Sequence, residues 1–133
     1  MFITIEKVLL LKQIPLFKTV SNMALSDLMA VSEEKTLKKG ERLINEKEQN
    51  RTVYFLLSGS LKITQGDQTK VISNRGAIGL DSVFWIAQAG QTVTTEQKSV
   101  VLKTEHDKLY RMMALHPSLA TAILHELSAM IHK

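Results

Sequence analysis

Apolar positions change their period twice along the chain. In residues 2–13, Ile5, Val8 and Leu9 fall on one helical face and Lys12 continues the i, i+3, i+4, i+7 row, while Glu6, Lys7 and Gln13 lie elsewhere. This spacing predicts an amphipathic helix ended by Pro15, because the residue before a proline avoids the helical region. Ser21 is placed to cap a second helix running to about Ser32, with Leu25, Leu28 and Met29 as its apolar stripe.

Between residues 35 and 103 the helical period disappears. Short runs bounded by Gly, Asn and Asp predict strands at Arg42–Ile44, Thr52–Leu57, Ser60–Thr64, Lys70–Ser73, Gln91–Thr95 and Ser99–Lys103. Gly59 reads as a tight corner and Gln65-Gly66-Asp67-Gln68 as a hairpin turn with a residue suited to positive φ. Gly76–Trp85 reads as a glycine-led loop entering a short helix. Many short strands joined by such turns predict a sandwich or jelly roll.

Helical spacing returns at the end. Asp107–Leu115 reads as a helix stopped by His116-Pro117, and Ser118 as the cap of a last helix, Leu119–Ile131. Ala120, Ile123, Leu127 and Met130 step by 3, 4 and 3 residues, as a coiled-coil seam does. Leu119, Leu124 and Ile131 sit off that seam. A helix apolar around so much of its circumference is expected to pack on the β body with one side and on a partner with the other. No repeat or linker interrupts the chain, so residues 1–133 read as one domain: helices over about 2–32, β-roll over about 35–103, helices over about 107–131.

Composition removes several classes. The chain has no cysteine, which excludes disulfides, thiolate metal sites and thiol nucleophiles. Its apolar stretches, such as Val8–Leu11, fall far short of the roughly 20 residues that span a bilayer, so no membrane insertion is expected. The first residues carry no basic stretch or small-residue cleavage site, and a cytoplasmic location is expected. The formal charge of +4 invites a nucleic-acid reading. Locally, however, Lys35, Lys38, Lys39 and Arg42 are mixed with Glu33, Glu34 and Glu41, and no nucleic-acid partner is expected.

Catalysis finds little support. The four histidines are His106, His116, His125 and His132, none of them within 35–103, so a roll with metal-binding histidines on its strands is excluded. His125 and His132 share a helix face without a carboxylate at ligand spacing. Glu46 and Glu48 share a strand face, but Lys47 and Arg51 beside them suggest a polar loop. No nucleophile elbow, Walker loop or His-Glu-x-x-His occurs, so neither an enzyme nor a metal site is expected.

Several pieces in order resemble the cyclic nucleotide-binding domain family. They are Ile14-Pro15-Leu16-Phe17, Lys39-Gly40-Glu41 followed by Ile44, Val53–Ile63 with its Leu-Ser-Gly-Ser core, Gly76-Ala77-Ile78-Gly79, Thr92-Val93, Val101-Leu102 and His116-Pro117. The resemblance covers about residues 5–133. It implies a mainly β fold with flanking helices, an eight-stranded jelly roll (double-stranded β-helix) of the cyclic nucleotide-binding type. It also implies a phosphate-binding cassette at Gly76, Ile78, Gly79, Leu80, Asp81, Ser82, Ala89, Gln91 and Thr92. In such a cassette, backbone N–H groups at a short helix N-terminus face the cyclic phosphate. Two side chains complete it: a glutamate after the second glycine, and an arginine nine positions further on.

This chain has Leu80 at the glutamate position and Ala89 at the arginine position. Loss of one buried charge-assisted contact costs on the order of 2–5 kcal/mol. The resemblance is thus to a regulatory, sensory module with a degenerate cassette. Its partner would be a cyclic nucleotide or another small anion, and its signal would leave through the last helix to a homodimer or an effector protein. An active cAMP or cGMP receptor would need Asp81 to replace the glutamate and Arg75 or Lys98 to supply the cation. A third reading is a ligand-free dimerisation scaffold. The resemblance is to a lone sensory module or to one cut from a longer protein, and Ile5–Leu11 is similar to versions of the domain appended to larger bacterial proteins.

Overall fold

A computed structural model describes residues 4–44, 51–73, 76–80 and 91–131. Helix α1 (Thr4–Lys12), a 3-10 turn (Pro15–Phe17) and α2 (Asn22–Ala30) precede the strands β1 (Glu33–Leu37), β2 (Arg42–Ile44), β3 (Thr52–Ser58), β4 (Ser60–Gln65), β5 (Gln68–Ser73), β6 (Gly76–Ile78), β7 (Gln91–Thr95) and β8 (Ser99–Glu105). Helices α3 (His106–Leu115) and α4 (Pro117–Ile131) follow. The strands form two antiparallel four-stranded sheets, ordered β1-β8-β3-β6 and β2-β7-β4-β5. The expected jelly roll is therefore present.

The first sheet has apolar layers on both faces, which explains the unbroken run Val53-Tyr54-Phe55-Leu56-Leu57. Successive side chains on a strand point to opposite faces. Val53, Phe55 and Leu57 accordingly join a core under the helices, with Leu11, Phe17, Leu25, Leu28, Leu109 and Ile123. Tyr54 and Leu56 point the other way, into the roll, with Leu61, Ile78, Val93 and Val101. The rings of Phe17 and Phe55 meet at 5.0 Å and 55°, tying the 3-10 turn to the sheet. Such tilted pairs add about 0.5–1.5 kcal/mol beyond area burial.

Polar contacts fix the helices. Ser21 caps α2 as expected, its Oγ accepting from the Ala24 N–H at 3.1 Å. Ser32 Oγ lies 2.7 Å from the fully buried Thr104 Oγ1, joining the end of α2 to β8. His116 Nε2 lies 2.8 Å from Asp27 Oδ2, joining the α3–α4 junction to α2.

Some local expectations change. Strand β1 runs through the charged stretch that looked like a mixed-charge surface, because Glu33–Leu37 pairs along β8. Its charges are matched: Lys7 Nζ to Glu34 Oε1 at 3.0 Å, and Lys35 Nζ to Glu33 Oε1 at 3.9 Å. Residues Gly76–Ile78 form a short strand rather than a loop, since they pair with Tyr54–Leu56. Helix α4 begins at Pro117, one residue before the expected cap, with Ser118 inside its first turn. The Leu119 and Ala120 N–H groups both donate to the His116 carbonyl.

Gly59 makes the corner between β3 and β4 with φ 104°. An added Cβ there would lie 2.6 Å from Ser99 Cα, a backbone atom that cannot yield locally. The φ alone costs about 1–3 kcal/mol for a non-glycine residue, and the clash adds to it. Gly59→Ala is expected to lower the urea midpoint strongly with an unchanged m-value. Gly66→Ala, at φ 59° with open space around it, is expected to cost much less. A second expectation concerns His106, whose pKa is lowered by burial, then by Arg51, against a smaller opposing pull from Asp107. Above the ordinary value of 6.5 both folded and unfolded states are neutral at this position. As pH falls below it, the unfolded chain takes up a proton that the folded chain resists, and stability drops. Denaturant titrations between pH 7 and pH 5 should show a flatter pH slope for His106→Gln than for the wild type.

Candidate functional site

Pairing register decides which residues face the inside of the roll. Residues directly opposite one another in antiparallel strands share a face. In the second sheet, Leu61 pairs with Ile72 and Thr95, Ile63 with Lys70 and Val93, and Gln65 with Gln68 and Gln91. Near the Gly59 corner this inner face is dry: Leu61 and Val93 are fully buried, and Thr95 is 3% exposed. Farther along, Ile63 and Ile72 are half-buried, Lys70 is exposed, and the last row consists of Gln65, Gln68 and Gln91. The face thus turns polar toward the β4–β5 hairpin, where the roll opens.

That end holds a cavity of about 450 Å³. The second sheet lines it with Ile63, Gln65, Gln68, Thr69, Lys70, Ile72 and Gln91. The opposite wall is Ala77, Ile78, Gly79 and Leu80. The volume lies within the roughly 300–1,000 Å³ of small-molecule sites, and apolar walls with a few convergent polar groups are the usual lining of such sites.

Strand β6 ends at Ile78, and the chain turns through Gly79 at φ 88°, a conformation that favours glycine. Leu80 follows, only 1% exposed. It lines the cavity and also belongs to the core under the helices, with Phe17, Leu119, Ile123 and Leu127. A smaller cavity of about 100 Å³ separates Leu80 and Gly76 from Pro15, Leu16 and Glu126 of α4. One side chain therefore belongs both to the cavity lining and to the core that the last helix helps to form.

Of the expected site residues, Ile78, Gly79, Leu80 and Gln91 line the main cavity, and Gly76 lines the smaller one. Thr92 pairs with Thr64 on the outward face of the second sheet. Asp81, Ser82, Ala89 and Arg75 lie outside the described residues, as do Glu46 and Glu48. Lys98 is exposed beyond Thr95, at the end of β7 away from Gln91 and the cavity, and so does not supply a cation to it. The α4 seam also needs correction. Ile123 and Leu127 are 0% and 5% exposed inside the chain's own core, because the 3-10 turn and α3 pack against this side of α4. Ala120 is half-buried, and the side chain of Met130 lies outside the described residues. Among the described side chains of α4, the large apolar one left exposed is Leu124, at 57%.

Sequence reasoning missed the β4 and β5 lining residues Ile63, Gln65, Gln68, Lys70 and Ile72. Their signal was the alternation Gln68, Lys70, Ile72, in which polar residues take inward positions at the hairpin end of a strand. Among the described residues no three His, Asp or Glu side chains gather as a metal site, and no helix is long and apolar enough to cross a membrane.

The two-sheet roll flanked by helices, with a cavity of about 450 Å³ against a glycine turn, is the fold of the cyclic nucleotide-binding domains. The sequence pattern of the cyclic nucleotide-binding domain matches residues 34–116, and the chain belongs to that family. Domains of this family are generally regulatory. The chain is similar to the sensor domain of the transcriptional regulator DNR from Pseudomonas aeruginosa, with 25% identity, TM-score 0.78, and coverage of 95% of this chain and 94% of that one. It is also similar to the N-terminal domain of a transcriptional regulator from Streptomyces coelicolor A3(2), with 23% identity, TM-score 0.76, and 92% of each chain covered. The regulatory domain of Toxoplasma gondii PKA, crystallised with cAMP, has the same fold at 21% identity and TM-score 0.71, over 82% of this chain and 44% of that one. No curated protein sequence matches the chain significantly.

Leu80→Ala should remove contacts on both sides at once. A buried Leu→Ala change costs about 2–5 kcal/mol. The expected result is a lower melting temperature together with chemical-shift changes in α4 residues Ile123 and Leu127.

Proposed function

We propose that this chain is a non-catalytic regulatory module whose cavity takes a small ligand without the side-chain contacts that relatives of this fold offer a cyclic nucleotide. The observation that carries this reading is Leu80. The resemblance to the family puts a ribose-binding glutamate at this position. Here an apolar side chain fills it, buried in a core shared with α4. A carboxylate at that place would be desolvated among leucines and phenylalanine, which disfavours its charged form.

The same placement supports an output route. A ligand that shifts Gly79 and Leu80 disturbs the core that Leu80 shares with Ile123 and Leu127 of α4, so two placements of α4 would bind ligand unequally, as coupling requires. The exposed Leu124 on α4 then meets a second copy or an effector, in place of the buried seam.

Thermal unfolding with cAMP and cGMP tests the reading. A ligand at 100 times its dissociation constant adds about 2.7 kcal/mol, a rise of several degrees for a domain of this size. The expected result is no measurable shift with either nucleotide at millimolar concentration. A rise of several degrees would show a working nucleotide receptor and overturn the proposal.

A further inference from the structure

Lys70 is an unusual residue for its place. It sits on the inner face of β5, directly across from Ile63, with Ile72 two residues along on the same face. The positions behind it, toward the Gly59 corner, are apolar. No acidic residue lines the cavity, and Lys70 is the cation that does, among the described residues. No described residue forms an ion pair with it. The cavity therefore carries a positive charge that nothing within the described chain neutralises.

The residues next to it add hydrogen-bonding capacity without charge. Gln65, Gln68 and Gln91 stand in one cross-strand row at the mouth. Each carboxamide offers two donors and one acceptor with two lone pairs. Neighbouring strands lie about 4.8 Å apart, so the row spans about 10 Å, the length of a small metabolite. Ile63 and Ile72 beside Lys70 on the same sheet, and Ile78 on the facing wall, are apolar. We infer that Lys70, beside the Gln65–Gln68–Gln91 row, is the charge anchor for a small organic anion, with its phosphate or carboxylate on the lysine, its neutral polar groups on the glutamines and its apolar part on the isoleucines. The anion is thereby anchored on β5 in the second sheet instead of at the glycine turn facing it. This inference rests on the reading of the cavity as a ligand site that lacks the usual nucleotide contacts.

Strand β5 is also the edge of its sheet, and an inward lysine on an edge strand discourages pairing with another chain. That role requires no ligand. The two roles separate in calorimetric and NMR titrations of the intact chain at low salt, with adenosine 5′-monophosphate as the phosphate probe and succinate as the carboxylate probe. Lys62, on β4 across from Val71, faces outward and serves as the control.

At least one probe should bind saturably and shift the side-chain amide signals of Gln65, Gln68 and Gln91. Lys70→Met should weaken that binding about tenfold or more, the size of one charge-assisted hydrogen bond. Lys70→Arg, which keeps the charge, should retain most of it, and Lys62→Met should leave it unchanged. Binding of AMP alone assigns the anion as a phosphate, and binding of succinate alone as a carboxylate. The inference is overturned if neither probe saturates, or if Lys70→Met binds as wild type does. Equal weakening by Lys62→Met, which would mark general surface attraction, also overturns it, as does aggregation of Lys70→Met with unchanged affinity. Should Lys70→Met fail to fold, Lys70→Gln takes its place. Cyclic AMP binding that persists in Lys70→Met would overturn the proposed function. Probe binding that ignores Lys70, with cyclic AMP inert, would overturn the present inference alone.

Discussion

The passage of the chain from one sheet to the other at Gly59 is the constraint on which the rest of the molecule depends. Only this residue separates β3 from β4, yet the two strands belong to different sheets. The corner closes against the start of β8, where the Ser99 hydroxyl accepts from the Ser60 N–H at 3.1 Å and donates to the Gln97 carbonyl at 2.8 Å. Ser99 is fully buried, so these bonds satisfy a hydroxyl that water cannot reach. The register of β3 on β8 shifts just before the corner, between Leu56 and Ser58. From there the pairing of β4 with β5 and β7 is set, and with it the inward set Leu61, Ile63 and Gln65. The corner closes the dry end of the roll and so leaves the hairpin end as its mouth.

The second organising fact is that one sheet serves two cores. Alternate residues of β3 belong to the roll interior and to the helical layer, and on β8 Val101 and Leu102 divide in the same way. A disturbance inside the roll is therefore only one strand thick away from the helices. Leu80 shortens the path further, because it joins the helical core directly while lining the cavity. The exposed faces of α3 and α4, with Tyr110, Leu115 and Leu124, are the surfaces that such a movement would present.

Most of the fold was legible because turn chemistry and periodicity agreed. Arg42–Ile44 and Gln91–Thr95 have the bounds that alternation predicts, and Gly59 and Gly66 both take positive φ where corners were expected. Strand β1 was hidden because an edge strand paired only with β8 can carry Glu33, Glu34 and Lys35, and its charges mimic a solvated surface. Strand β6 was hidden by its brevity: a glycine and two apolar residues ahead of a second glycine look like a loop until β3 supplies their partner. The glycine turn of the site was visible through its resemblance to known cassettes, but the facing wall was not. Its glutamines and lysine look like ordinary hairpin polarity, and only the register Gln65–Gln68 and Ile63–Lys70 shows that they point inward. Within the α4 seam, Ile123 and Leu127 were read correctly as apolar and assigned to the wrong neighbour, because spacing alone does not distinguish a partner helix from the chain's own Pro15–Phe17 turn.

Leu80 also has an evolutionary consequence. Ligand choice and fold stability usually rest on different residues, so either can drift while the other is held. On the proposed reading they would meet at one buried side chain that lines the cavity and fills the helical core. A lineage with leucine at this position cannot exchange it for an ionisable residue in a single step, because the intermediate would place a charge among apolar side chains before any new ligand contact compensated. A charged contact there would first require changes in the surrounding core, such as at Leu16, that make it tolerant. The position acts as a ratchet, steering new specificity toward the opposite wall, where Gln65, Gln68 and Lys70 are exposed and substitutions leave the core undisturbed.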